Sequence, residues 1–149
     1  MAQTYFGSTL RAGSGTLTDT VDGGFVVMTQ TTTVTTIAAG TATSATITIP
    51  ASSQIINLIV DNTVIAVPGA GTATTVPVTI GTAAAGTQYL SATDAIAGGR
   101  IALAFTAAQT AAMADVGANT SVVITADPNG TISTTQGVYR LTVVYAQKV

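Results

Sequence analysis

Gly137-Val138-Tyr139-Arg140-Leu141-Thr142-Val143-Val144-Tyr145-Ala146-Gln147, near the end of the 149-residue chain, decides the fold class. Tyr139, Leu141, Val143 and Tyr145 share one face of an extended chain, opposite Arg140, Thr142 and Val144. Successive Cβ atoms of extended backbone point to opposite sides, so this alternation marks a strand with one face in a core. Working back, Asp127-Pro128-Asn129-Gly130 is a turn signal, with Asn-Gly expected to supply positive φ. Thr120 to Asp127 is again strand-like. Arg100 to Phe105 alternates, Ile101, Leu103 and Phe105 pointing one way and Ala102 and Ala104 the other. Ile55 to Asn62 places Ile56, Leu58 and Val60 on one face, with Ile55, Asn57, Ile59 and Asp61 opposite. Ala45 to Ile49 alternates Thr with Ile ahead of Pro50. Phe25 to Thr36 and Thr74 to Thr82 complete the set, and Pro77 confines the latter to an edge or a bulge.

One short helix interrupts the strands. Thr106-Ala107-Ala108-Gln109 has the spacing of a capping box, with Thr106 as the N-cap and Gln109 reaching back to it. Alanines continue through Met113 and Ala114, and Gly117 is the expected stop. Composition agrees with a sheet protein. Thr, Val and Ile together supply 59 of the 149 residues, Glu is absent and Lys occurs once. Stiff β-branched side chains suit pleated sheets, and the usual formers of solvated helices are missing. Seven or eight short strands with one helical connection predict an all-β fold, an antiparallel β-sandwich of jelly-roll type. Residues 25–149 form that domain.

Residues 1–24 read differently. Gly7, Gly13, Gly15, Gly23 and Gly24 lie among Ser and Thr, and apolar anchors are sparse. This predicts an extended N-terminal arm. The adjacent pair Tyr5-Phe6, with Leu10 and Arg11, suits docking on a neighbour or on a larger assembly better than a solvated tail.

The inventory bears on chemistry. Without Cys or His there is no thiol nucleophile, disulfide, imidazole base or zinc site. Six Asp, at 19, 22, 61, 94, 115 and 127, lie mostly near expected turns or strand ends, where they cap and turn the chain. Asp127 and Asn129 are too few ligands for calcium. The expectation is no catalytic residue, no cofactor and no metal. Four Lys and Arg in all are too few to track phosphates, so nucleic acid is not an expected partner. No apolar run reaches the length of a membrane span, and Met1 to Phe6 does not resemble a secretory leader. The threonines at 31–33 and 35–36 have no fixed period of the kind an ice-binding ladder uses. With only 7% charged residues, the surface is cheap to desolvate and suits packing against copies of itself or another protein.

Ile80-Gly81-Thr82, Ala85 to Leu90, Gly99-Arg100, Phe105 to Gln109 and Gly137 to Tyr145, with Ile49-Pro50-Ala51 and Ile55 to Asp61 upstream, resemble small structural proteins of tailed bacteriophages. The likeness is to head decoration (cement) proteins and to head-fibre proteins. It implies a jelly-roll virion protein, without enzymatic activity, on the outer capsid surface after passage through the host cytoplasm. It also implies a homotrimer that bridges subunits of the major capsid protein and so stabilises the shell. A head-fibre, neck or tail component binding other virion proteins or host glycans is the alternative, with Tyr89, Tyr139 and Tyr145 as potential stacking platforms for sugars.

Overall fold

The structure, a computed structural model, describes residues 25–114 and 116–148. Eight strands and one helix follow the order β1 (Phe25–Thr35), β2 (Thr43–Ile49), β3 (Ser53–Val64), β4 (Pro77–Gly81), β5 (Leu90–Asp94), β6 (Gly99–Arg100), α1 (Ala107–Ala114), β7 (Thr120–Ala126) and β8 (Val138–Lys148). They form two four-stranded sheets, ordered β1-β8-β3-β6 and β2-β7-β4-β5. Every pairing is antiparallel, and β1 joins β8, β2 joins β7, β3 joins β6 and β4 joins β5. The fold is an all-β sandwich.

The core lies between the sheets. Tyr139, Leu141, Val143 and Tyr145 of β8 are fully buried, as the alternation predicts. They face Ile47 and Ile49 of β2, Val78 and Ile80 of β4, and Val122 and Ile124 of β7 within one apolar cluster. Burying a side chain of this size stabilises a fold by roughly 1.5–3 kcal/mol, so this layer is what joins the two sheets.

Four expectations need correction. In β3 the register shifts between Ile55 and Asn57, so the bulge absorbs Ile56. Ile55 is therefore buried with Leu58 and Val60, while Ile56 is 53% exposed. One extra residue in a strand reverses the faces before it, and periodicity alone does not reveal it. Pro77 does not mark an edge; it opens β4, an inner strand between β7 and β5, and the other alternative, a bulge, has its counterpart in the β4–β5 register shift between Val78 and Ile80. The alternating run after Arg100 is not a strand. Ile101 N–H donates to the Val60 carbonyl at 2.9 Å, and from Ala102 to Phe105 the backbone pairs with no other described residue. Its alternation reports burial, since Ile101 and Leu103 pack on the core edge. Finally, neither Asn129 nor Gly130 has positive φ. Asn129 instead works through its side chain: Oδ1 accepts from the N–H groups of Thr74 and Thr75 at 2.8 and 3.0 Å, and Nδ2 donates to Thr74 Oγ1. It ties the β7–β8 connection to the loop before β4.

The capping box forms as the sequence requires. Thr106 N–H donates to Gln109 Oε1 at 2.9 Å, and Gln109 N–H donates to Thr106 Oγ1 at 3.2 Å. Helix α1 ends at Ala114, and Gly117, at φ +60°, lies three residues beyond it.

Candidate contact surfaces

Among the described residues, Asp, Glu, His and Cys side chains nowhere gather in a group of three or more. Asp94 is committed to the backbone, its Oδ1 accepting from the N–H groups of Val76 and Ile96 at 2.9 and 3.2 Å. Tyr89, Tyr139 and Tyr145 are all buried, so none offers a ring to a sugar. This removes the stacking platform that the sequence offered to a glycan. Tyr145 OH accepts from Gln30 Nε2 at 2.7 Å, whereas Tyr139 OH is buried with no partner. Burial, then the nearby Asp94 carboxylate, pushes the Tyr139 phenol up to about 12. The docking residues Tyr5, Phe6, Leu10 and Arg11 lie outside the described residues.

What the sandwich presents is surface. On the outer face of the first sheet, Asp61 of β3 sits between two guanidinium groups. Arg100 Nε and Arg140 Nη2 each lie 3.0 Å from one of its carboxylate oxygens. Hydrogen bonds from Arg100 and then Arg140 hold the Asp61 carboxyl below its ordinary range. Cross-strand register brings them together, because Asp61 pairs with Arg140 of β8 on one side and Arg100 of β6 on the other. The opposed parity of Asp61 and Arg140 to the core residues was readable from sequence; the neighbour Arg100 was not.

Beside this trio is an apolar cleft of about 370 Å³ between β3 and α1, lined by Ile55, Ile56, Phe105, Thr110, Met113 and Ala114 among others. Phe105 also walls a second hollow of about 220 Å³ that reaches Arg100 and Leu103. The bulge that turns Ile56 outward and the unpaired run that ends in Phe105 together make this patch. Gln109 holds the helix over it. Its Nε2 donates to the Thr87 carbonyl and to Ser91 Oγ, both at 3.0 Å, while its Oε1 caps the helix. The spacing announces the cap; the bridge to the loop before β5 has no signal in the sequence.

The third surface is the margin of β1 that no other described strand pairs with. Its residues Val27, Thr29, Thr31, Thr33 and Thr35 are exposed. No residue from Phe25 to Thr35 is charged and none is proline.

The fold defines a class: an all-β protein, a two-sheet antiparallel sandwich. Compared with known proteins, the chain matches no family model, no curated protein and no solved structure.

Proposed function

We propose that the protein is a structural virion component, a capsid decoration (cement) protein that binds the outer surface of a phage head as a homotrimer. The observation that carries the reading is the strand order joined to the composition. Strands β1-β8-β3-β6 over β2-β7-β4-β5 pair first with last, second with seventh, third with sixth and fourth with fifth. That is the pattern of one long hairpin rolled up, and it supports a jelly roll. Its surface carries few charges, an apolar patch at Ile56 and Phe105 and a long uncharged strand margin. Each of these costs little to bury against protein.

A protein that binds only the assembled shell stabilises it by mass action, about 2.7 kcal/mol per site when its free concentration is 100 times Kd. Repeated over a lattice, this modest term resists expansion and heat. The N-terminal residues Tyr5, Phe6, Leu10 and Arg11 are the proposed docking segment. The test combines sedimentation of the purified chain with electron microscopy of tailed-phage heads lacking decoration, incubated with it. A trimer that coats the heads and raises their disruption temperature is expected. A monomer that leaves the heads bare overturns the reading, and binding confined to necks or tails favours the head-fibre or tail alternative.

A further inference from the structure

The backbone of β1 has a definite parity. Thr36 N–H donates to the Gly137 carbonyl at 2.9 Å, which makes Thr36 and Gly137 a bonded pair of the β1–β8 ladder. The register steps one residue against one, so Val26, Met28, Gln30, Thr32 and Val34 direct their N–H and C=O groups at β8. Val27, Thr29, Thr31 and Thr33 direct theirs the other way, where they bond to no described residue. Thr35 shares that direction, but its carbonyl is taken by Thr43 Oγ1 at 2.8 Å.

Charge, apolar exposure and cover together fit this margin to a second copy of itself. No residue from 25 to 60 is charged, a span that takes in β1, β2 and the turn between them. β1 and β2 are the touching margins of the two sheets. When one surface meets its own copy, each charge on it is brought near its like, so a self-pairing surface does best with none. Charges stand elsewhere, on Asp61, Arg100 and Arg140 and on Asp94 of β5. Val26, Val27 and Met28 of β1 are large, apolar and 44%, 63% and 41% exposed. Val26, Met28 and Val34 share the inner face by alternation, yet only Val34 is buried, in the core cluster with Ile47. The inner face of β1 is thus covered at one end and open at the other. An antiparallel two-fold sets the open end of each copy beside the covered end of the other.

The unpaired groups fix the register. One two-fold arrangement uses all four outward residues and leaves Thr35 out. It pairs Val27 with Thr33, and Thr29 with Thr31, of the second copy as bonded pairs. Val26 then lies beside the second copy's Val34, Met28 beside its Thr32 and Gln30 beside its Gln30. We infer that two copies of the chain join β1 to β1 in this register, extending the first sheet across a two-fold axis as β6-β3-β8-β1-β1-β8-β3-β6. The contact is strand addition with a second copy as the donor of the strand. It does not depend on the proposed function. A two-fold lies outside a threefold ring, so if the proposed trimer forms, this contact joins one trimer to another.

Thr31→Pro removes an outward donor and no bond to β8, and its ring obstructs an approaching strand. Sedimentation over a dilution series should show it halving the mass of the parent's assembly, from dimer to monomer or from hexamer to trimer. An unchanged mass overturns the inference. So does a parent that is itself a monomer or an isolated trimer, and the isolated trimer leaves the proposed function standing. Residue-resolved hydrogen exchange reads the parity. The amides of Val27, Thr29 and Thr33 should exchange at least ~10-fold more slowly in the parent than in Thr31→Pro, with Met28 and Gln30 alike in both. Slow odd amides in a monomeric parent would mean that a segment of the same chain fills the margin, and equally fast ones in both proteins that the copies meet elsewhere; either overturns it. The chain has no cysteine, so a disulfide can report the register. Gln30→Cys puts two thiols at a non-bonded pair with Cα atoms about 4.5 Å apart, which accepts a disulfide. Met28→Cys sets its two thiols four residues apart along the strands, roughly 13 Å. Oxidised Gln30→Cys should run as a linked dimer on a non-reducing gel and Met28→Cys as a monomer. No linked dimer of Gln30→Cys, or equal linkage of both variants, overturns it.

Discussion

At one margin of the first sheet the pairing stops after two residues, Gly99–Arg100; at the other it runs for eleven, Phe25–Thr35. The short margin is closed by several devices. Gly98 and Gly99 have φ of +77° and +78°, which bends the chain out of the strand path. Arg100 brings charge to the rim and is tied to Asp61. Short, charged, bent edges discourage further strands from joining a sheet. The long margin has no charge, no proline and no bulge, and its exposed side chains are mostly threonine. One sheet thus has an edge built to end pairing and an edge built to continue it, and only the second invites a strand.

The largest expected effect is one that breaks both margins at once. β8 lies between β1 and β3, and Leu141 is fully buried at its middle. Leu141→Ala should cost about 2–5 kcal/mol through lost contacts and the cavity left behind. Chemical denaturation would measure it, and amides of β1 and β3 should lose protection together. Separate responses would mean that the two margins are independently stable.

Next is the fastening on the short-margin side. Gln109→Ala removes the cap acceptor and the donor to Thr87 and Ser91, and should cost about 2 kcal/mol. Gln109→Glu sharpens the point, because it keeps the cap oxygen and places a carboxylate against the Thr87 carbonyl. If the cap alone mattered, Glu would restore stability; if the bridge matters, Glu should be little better than Ala.

On the long-margin side, two buried tyrosines of β8 separate packing from hydrogen bonding. Tyr145→Phe leaves Gln30 without its partner and should cost about 1 kcal/mol. Tyr139→Phe removes a hydroxyl that bonds to nothing, so stability near neutral pH should change by less than about 0.5 kcal/mol. Tyr139 also bears on stability in alkali. The Tyr139 phenol, ordinarily near 10, is raised to about 12 in the fold. Between those values the unfolded chain has lost a proton that the fold retains, so stability falls as pH rises. Tyr139→Phe should flatten that fall; denaturation of parent and variant at pH 9 and pH 11 would measure it.

The residues that were legible in sequence share one property: both faces of their strand differ in chemistry. Tyr139 to Tyr145, Ile47 with Ile49, and the Thr106–Gln109 cap were legible for that reason, or because a local bond encodes itself at fixed spacing. Ile56 was not, because a bulge is settled by how β3 meets β8. Leu90–Asp94 carries no strand signal, since its Ser, Ala and Thr give no alternation strong enough to read. The run after Arg100 misled in the other direction, being half-buried without being paired. Of the contact surfaces, parity reached Asp61 and Arg140. The cleft at Phe105 required both the bulge and the unpaired run, and neither is written in local sequence.

The smallest effect probes the charge at the short margin. Asp61 is shielded while Arg100 and Arg140 remain in water, and exposed ion pairs contribute little because water already solvates them well. Asp61→Asn should therefore lower Tm by only about 2 °C at neutral pH. The sign with pH follows from the lowered carboxyl. Above its ordinary value of 3.8 both folded and unfolded chains are ionised, and the contribution is fully present. Below 3.8 the unfolded chain takes up a proton that the arginines keep off the fold, so the contribution fades as pH falls. The variant and the parent should accordingly differ at pH 6 and draw together as the pH falls further below 3.8. If the charge also serves to blunt the edge, Asp61→Asn combined with Arg100→Thr should make the β6 margin sticky, and concentration-dependent sedimentation should rise in the double variant alone. Unchanged sedimentation would leave shortness and the two left-handed glycines as the sufficient cause of the closed edge.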